Sequence, residues 1–508
     1  MTLEPMHEKI TPAGLKRLCM HQAVVEARLL TSGGVLISKV LSIAADCTVS
    51  SGEVFTGEAR YSGRVNFKVI YTCTEGKNHS MDYNADFTDK MLCDGLKAGM
   101  RPFVSAHILD TDIVAVDERE IKLACVVESA FDAVVEDSHS AIISLGEGIY
   151  THEAQVEHTR HVSQTSAPFT LSDTVNLKGA NILLSEARVV TTTRTASFDS
   201  IIIEGNVLCD LTCELEDGMI YSIQHTTPFK EEIPCNEVRD NHLILASVNL
   251  SRHSVTVESS DDKHSALLEF SLESHVKAFV AHAQTVVIDA FSVTHDLSLI
   301  GEEITLTQNK HNSTFSDRVE GAVTLDVAMP VADQILAVTG SKLNIASATA
   351  SEGRITYEGI VSGNIIYYSA ESDVKHSVAV ELPFSIGVNQ AAAGEGDSVL
   401  AKGIVTSMHA RIMRGNEIQI KADIDVEILV NSATQCYIVK EVTEGEERIL
   451  PTSAFSVHIA KEGEKLWDIA KSLGLTPESV LEQNATLTLP TSGGERVMCY
   501  RQRQSITM

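Results

Sequence analysis

Aromatic side chains are scarce in this chain. They make up 5% of 508 residues, and tryptophan occurs once. Stacking platforms for single-stranded nucleic acid are built from such side chains, so their scarcity argues against that role. Positive charge is short as well: 40 Lys and Arg stand against 69 Asp and Glu, a formal net charge of −29. The nearest thing to a basic patch is Arg501-Gln502-Arg503. A surface this acidic repels phosphate backbones and anionic lipid headgroups. No apolar run approaches the roughly 20 residues that span a bilayer. The opening MTLEPMHEKITPAGLKRLCM lacks the charged start, apolar stretch and small-residue cleavage site of a secretory signal. The expectation is a cytoplasmic protein with no nucleic-acid partner and no direct membrane insertion.

Catalytic motifs are missing too. None of the ten cysteines forms a C-x-x-C. Cys209 and Cys213 share a strand face but lie too far apart along it for a relaxed bridge, so free thiols in a reducing compartment are expected. There is no G-x-x-x-x-G-K-[ST], no H-E-x-x-H and no G-x-S-x-G before a helix. His158 and His161 are too few for a metal site and read as members of a solvated loop. Glu214 with Glu216, and Asp423 with Asp425 and Glu427, alternate along strands and read as solvating charge. Nothing nominates a nucleophile. The expectation is a protein that is not an enzyme and uses neither cofactor nor metal.

What the chain does contain is repetition. It is too long for one core, and a prior of about 100–200 residues per domain suggests three or four. Aligning on Gly63, Gly205 and Gly359 gives three similar stretches: RYSGRVNFKVIY, SIIIEGNVLCDL and RITYEGIVSGNIIYY. Phe87, Phe229 and Phe384 follow their glycines by 24, 24 and 25 residues. Each stretch reads as a hairpin. In the first, Val65, Phe67, Val69 and Tyr71 alternate with polar or smaller residues before a turn at Glu75-Gly76-Lys77-Asn78. The repeated glycine suggests a bulge or a close backbone approach.

About thirty residues after each Phe comes another paired-strand segment. Its clearest copy places Ile418, Ile420, Ala422, Ile424, Val426 and Ile428 on one face, after a turn expected at Arg414-Gly415-Asn416-Glu417. Six or more short strands per copy predict a mainly β protein of three tandem antiparallel β-sandwich-like domains, at 22–137, 166–295 and 321–447. Segments 138–165 and 296–320 read as polar connectors able to add edge strands.

The end of the chain differs. Phe455, Val457 and Ile459 alternate as a short strand. Leu466, Ile469, Ala470 and Leu473 then fall on one face of a helix that Gly474 can stop. Thr476-Pro477 opens a second helix ending near Asn484, and Arg496 to Tyr500 closes the module as a strand. The order is βααβ over residues 452–501.

This stretch resembles the LysM family in Gly463-Glu464-Lys465-Leu466, Ile469-Ala470, Gln483-Asn484, Leu489-Pro490 and Gly493-Gly494. The resemblance implies a groove for N-acetylglucosamine-containing glycans between loops Glu462–Lys465 and Asn484–Leu489. Glu464-Lys465 replaces the family's Asp-Thr/Ser pair. The three β-units resemble SPOCS domains, and the combination resembles the SipL type of spore coat morphogenetic protein. That resemblance implies a mother-cell protein at the forespore surface, whose LysM module docks on a coat-basement ATPase of the SpoIVA kind. The residues singled out for a partner or a glycan are Gly463, Glu464, Lys465, Trp467, Asn484 and Leu489. The alternative is a peptidoglycan or N-acetylglucosamine-oligomer binder using the same groove.

Overall fold

A computed structural model describes residues 2–98, 100, 103–179, 181–260, 263–414, 416–449 and 455–500. The first eight strands are β1 (Met6–Ile10), β2 (Ala13–Leu30), β3 (Ile37–Phe55), β4 (Glu58–Cys73), β5 (Asn78–Leu92), β6 (Phe103–Asp117), β7 (Glu120–Glu136) and β8 (His139–Ser144). Strands β3-β4-β5 form a meander, and β2-β7-β6 form a second sheet. Val65, Phe67, Val69 and Tyr71 turn inward and are at most 3% exposed, packing on Leu123, Cys125 and Val127 of the facing sheet.

The same plan recurs twice. The second unit comprises β9 (Ile149–Leu177), β10 (Asn181–Ser197), β11 (Ser200–Glu214), β12 (Ile220–Pro234), β13 (Leu243–Ser260) and β14 (Lys263–Ser292). The third comprises β15 (His295–Thr324), β16 (Gln334–Ser351), β17 (Arg354–Ser369), β18 (Val374–Asn389), β19 (Ser398–Ile412) and β20 (Glu417–Glu447). Meanders β10-β11-β12 and β16-β17-β18 face sheets β9-β14-β13 and β15-β20-β19. All these pairings are antiparallel, so the chain is mainly β as expected. Ile418, Ile420, Ala422, Ile424, Val426 and Ile428 are all fully buried. Gly415 of the turn expected before them lies outside the described residues.

The repeated glycines explain themselves in this register. Gly63 pairs with Phe87, Gly205 with Phe229 and Gly359 with Phe384. A Cβ on Gly63 would sit 2.6 Å from the Phe87 ring and 2.6 Å from the Thr48 carbonyl oxygen. The ring lies across the missing side chain and shields the exposed backbone. Opposite each glycine the neighbouring strand carries a bulge, at Val49/Ser51, Thr191/Thr193 and Ile345/Ser347. The bulge bends and twists the strand at the same place in every copy. The units differ eight residues on. Tyr71 and Tyr367 stack on His79 and His376 across the ladder, whereas the second unit reverses the pair, with Cys213 facing Tyr221.

Two expectations need correction. Segments 138–165 and 296–320 do add edge strands, as the sequence allowed, but they are not mainly connectors, because most of each belongs to β9 or β15. Proposed boundaries at 166 and 321 therefore fall inside strands, and the one at 22 falls inside β2. The polar composition misled because β15 alternates exposed and half-buried positions along much of its length. His158 and His161 lie in β9 and not in a solvated loop. His158 is 2% exposed with its ring edge-on to His282, and burial followed by His282 and Arg160 pushes its pKa down to about 4. His161 bonds to Glu136 of the first unit at 2.7 Å.

Contacts close the three units into a ring. Lys68 reaches Ser185 and His253 of the second unit. Arg188 reaches the Thr406 carbonyl of the third at 3.2 Å. Lys342 and Asn344 reach Thr111 and the Leu109 carbonyl of the first. Leu41, Leu183 and Leu336, each at a bulge, meet in one apolar cluster with Ile70 and Ile366. Carboxylates read as solvating charge take part: Glu427 pairs with Arg194 of the second unit at 2.9 Å, and Glu214 accepts from Asn78 of the first. Beyond the sandwiches, Pro12 separates β1 from β2, consistent with its missing N–H donor. The β1–β8 ribbon packs with extensions of β9–β14 and β15–β20 around Ile10, Val156, Val286, Ile304 and Ile438.

Glu186 sits at the centre of this ring, accepting from the Gly340 amide at 3.0 and 3.1 Å. Part of its side chain touches solvent, yet atoms of all three units crowd the carboxylate, and that crowding governs its solvation. Desolvation, with Asp46 and Asp210 adding to it, raises its pKa to about 7 against the opposing Gly340 amide and Arg188. Lys342 faces it from the third unit, while Lys68 and His253 lie beside Ser185. A raised folded value means that stability is full below the unfolded value, near 4.5, and is lost as pH rises through about 7. Between pH 5 and 8, the contribution of Glu186 is expected to fall by on the order of 2 kcal/mol, allowing for partial solvation, while buried histidines such as His158 contribute with the opposite sign. Glu186→Gln should remove that contribution, read as the difference between the two proteins' pH profiles in denaturant titrations, where the titration of His158 and His253 cancels.

Candidate functional site

The terminal module is built from β21 (Phe455–Ile459), α1 (Leu466–Leu473), α2 (Pro477–Gln483) and β22 (Arg496–Tyr500). Its local signals act as expected. Gly474 ends α1 in the left-handed region at φ 61°. The Thr476 hydroxyl accepts from the Ser479 amide at 3.0 Å and Pro477 opens α2. At the start of α1, the Asp468 carboxylate reaches back to the Lys465 amide at 3.1 Å. Ile469, Ala470, Val480 and Val497 form the module's core. Residues 452–454 and 501, at its proposed ends, lie outside the described residues.

The six candidate residues divide by what they touch. Glu464 is occupied internally, accepting from the Lys461 amide at 2.8 Å and bonding to His458 at 3.1 Å. Burial alone would raise its pKa, but these partners outweigh it and hold the carboxyl below its ordinary value. Its backbone joins the loop to the next: Gly463 N–H donates to the Thr491 carbonyl at 2.8 Å, and Thr491 N–H to the Glu464 carbonyl at 3.2 Å. Asn484 is also occupied. Its amide donates to the Val480 and Met498 carbonyls at 2.9 and 2.8 Å and accepts from the Met498 N–H at 2.6 Å. Gln483 does the same for Tyr500 at 2.6 and 3.2 Å. These two side chains imitate a neighbouring strand and close the edge of β22. Gly463, Lys465 and Leu489 are exposed.

Trp467 is engaged within the chain. Its indole N–H donates to Asp289 at 2.8 Å, its ring meets Phe291 edge-on at 4.9 Å, and His152 lies 5.1 Å away. Lys471, one turn further on, bonds to the same carboxylate at 2.6 and 2.7 Å. Burial would raise the Asp289 pKa, but Lys471 and Trp467 overcome it and hold the carboxyl below its usual value. Helix α1 therefore seats the module on the end of the second unit. Because Trp467 is the chain's one tryptophan, its fluorescence reports this contact. Asp289→Ala is expected to shift the emission to longer wavelength, and an unchanged spectrum would count against the seating.

The body side of this contact (Asp289, Phe291, Tyr150 and His152) was not legible in the sequence. It lies about 180 to 320 residues away and carries no motif. The outer face of β21 was missed for another reason. Phe455, Val457 and Ile459 point to solvent, 46, 43 and 56% exposed, as do Met498 and Tyr500 on β22. The inward positions of β21 are Ser456 and His458. The usual rule that places the apolar side of a strand inside is inverted here.

Among the described residues, no group of three His, Cys, Asp or Glu is gathered to hold a metal, and no helix is long and apolar enough to cross a membrane. All ten cysteines are free. Two surface depressions of about 400 and 420 Å³ lie on the second and third units, one lined by Arg252, Glu269 and serines, the other by Gly359 and Phe384.

Comparison with known proteins returns no matching curated protein and no matching solved structure. Residues 36–116, which run from β3 through most of β6 of the first unit, match the family model described as SipL, SPOCS domain. That segment is thereby supported as a SPOCS domain of the SipL type.

Proposed function

We propose that this chain is a non-enzymatic spore coat assembly protein. In this reading the ring of β-units is a rigid scaffold at the forespore surface in the mother cell. The terminal module has a LysM-like role in docking on a coat-basement ATPase of the SpoIVA kind. The observation that carries the reading is the SipL, SPOCS match at residues 36–116. The second and third units repeat the strand order and the glycine–phenylalanine clasp of the matched one, which supports extending the SPOCS reading to them. A fluorescently tagged full chain, expressed in sporulating cells, should form a shell around the developing spore. Uniform fluorescence through the mother cell would overturn the proposal.

The glycan alternative has less to work with. A sugar-binding groove needs free polar groups at its walls, and here Glu464 and Asn484 are bonded within the module. Titration of the full chain with N-acetylglucosamine oligomers is expected to give no binding heat at millimolar sugar. Saturable binding would favour the alternative.

A further inference from the structure

The outer face of the β21–β22 hairpin is apolar without being covered. Phe455 pairs with Tyr500 and Val457 with Met498, and the Phe455 and Tyr500 rings lie 5.0 Å apart. Ile459 extends the row, so five adjacent side chains, each 43–56% exposed, form one patch. A strand that turns serine and histidine inward and large apolar residues outward is losing burial energy at every outward position unless something covers them. Two other surfaces of the module are committed: α1 to the second unit, and the β22 edge to Gln483 and Asn484. With α1 seated on the body, these five side chains remain exposed.

The size and charge of the patch define its occupant. Half-exposed side chains of this kind offer on the order of 500 Å² of apolar surface. A stable protein–protein interface needs about 800 Å² per partner, so a second copy pressed face to face would be held weakly. Cations stand at the Ile459 end of the row. Arg496 faces Ile459, and exposed Lys461 follows it. An amphipathic helix with one apolar stripe and carboxylates at its flanks fits both the width of two strands and the charge.

We infer that the outer face of the β21–β22 hairpin is the surface through which the terminal module binds an acidic-flanked amphipathic helix of a partner protein. The inference rests on the docking role proposed above and assigns it to this face instead of the loops at Gly463–Lys465. The test measures binding of the purified coat-basement ATPase to the full chain. Compared are the wild type, the double variant Val457→Asp/Met498→Asp, Arg496→Glu, Lys465→Glu and a chain truncated before residue 455. Both aspartates replace solvent-facing side chains, and circular dichroism with Trp467 fluorescence checks that the module stays folded and seated.

The double variant is expected to weaken binding at least tenfold, Arg496→Glu several-fold with a reduced salt dependence, and Lys465→Glu less than twofold. Wild-type affinity in the double variant, with binding lost on truncation, would overturn the face while leaving the docking role standing. Binding that survives truncation would overturn the docking role itself. Sedimentation showing a wild-type dimer that the double variant abolishes would make a second copy the occupant and overturn the helix.

Discussion

Gly205→Ala is expected to destabilise the second unit by about 3 kcal/mol, far more than a surface glycine substitution. The added methyl would lie 2.6 Å from the tip of the Phe229 ring and closer still to the Val190 carbonyl oxygen. The ring can rotate away, but the carbonyl belongs to the bulged strand β10, which is held on one side by the ladder to β11. In a Phe229→Ala background, itself destabilised by the loss of a core ring, Gly205→Ala should therefore still cost most of that amount. Chemical denaturation with circular dichroism reads the effect. No cost of Gly205→Ala in the Phe229→Ala background would mean that the ring, and not the backbone, demands the glycine. Gly63 and Gly359 meet the same pair of obstacles, so the experiment repeats in each unit.

Asp132→Ala is expected to cost about 2–3 kcal/mol, because it takes a buried carboxylate from two partly exposed cations, Arg17 and Lys402, and from the neighbourhood of buried Lys277. The carboxylate side chain is 1% exposed and holds Arg17 of the first unit at 2.9 Å and Lys402 of the third at 3.0 Å. Lys277 of the second unit also feels it. Burial, then Lys402, push the pKa of Lys277 down to about 8, and Asp132 opposes that fall. One carboxylate thus balances cations from all three units. Burial alone would raise the Asp132 pKa, but the Arg17 guanidinium and the Lys402 ammonium hold it below its ordinary value. A depressed folded pKa gives stability that is present above the unfolded value and lost as pH falls through the folded one. Wild-type protein should lose this contribution in acid, and Asp132→Ala should already lack it at pH 7. Equal stability of the two proteins at pH 7 would sink the account.

Much of the fold was legible because it is local. The alternation at Val65–Tyr71 and Ile418–Ile428 requires only that one strand face be buried and the other solvated. Gly474 and Thr476-Pro477 mark helix ends by backbone conformation and capping, which need no distant partner. Sequence reasoning failed where a residue's environment is supplied from afar. The segments 138–165 and 296–320 looked like connectors because edge strands expose half their side chains. His158 looked solvated because its burial comes from His282 in β14. Trp467 stood out as an anchor, and the surface it meets is Asp289 and Phe291 of the same chain.

The sequence by itself determined the kind of structure: repeated antiparallel hairpins clasped by a glycine and a phenylalanine, then two short capped helices between two strands. Periodicity and capping carry that information within a few residues. Only the tertiary structure decided that the three units close into a ring, that Glu186 and Asp132 sit where all three meet, and that the terminal hairpin turns its apolar side outward. Those outcomes depend on which surfaces find each other across hundreds of residues. A strand's alternation says that its two faces differ but not which of them the rest of the molecule will cover.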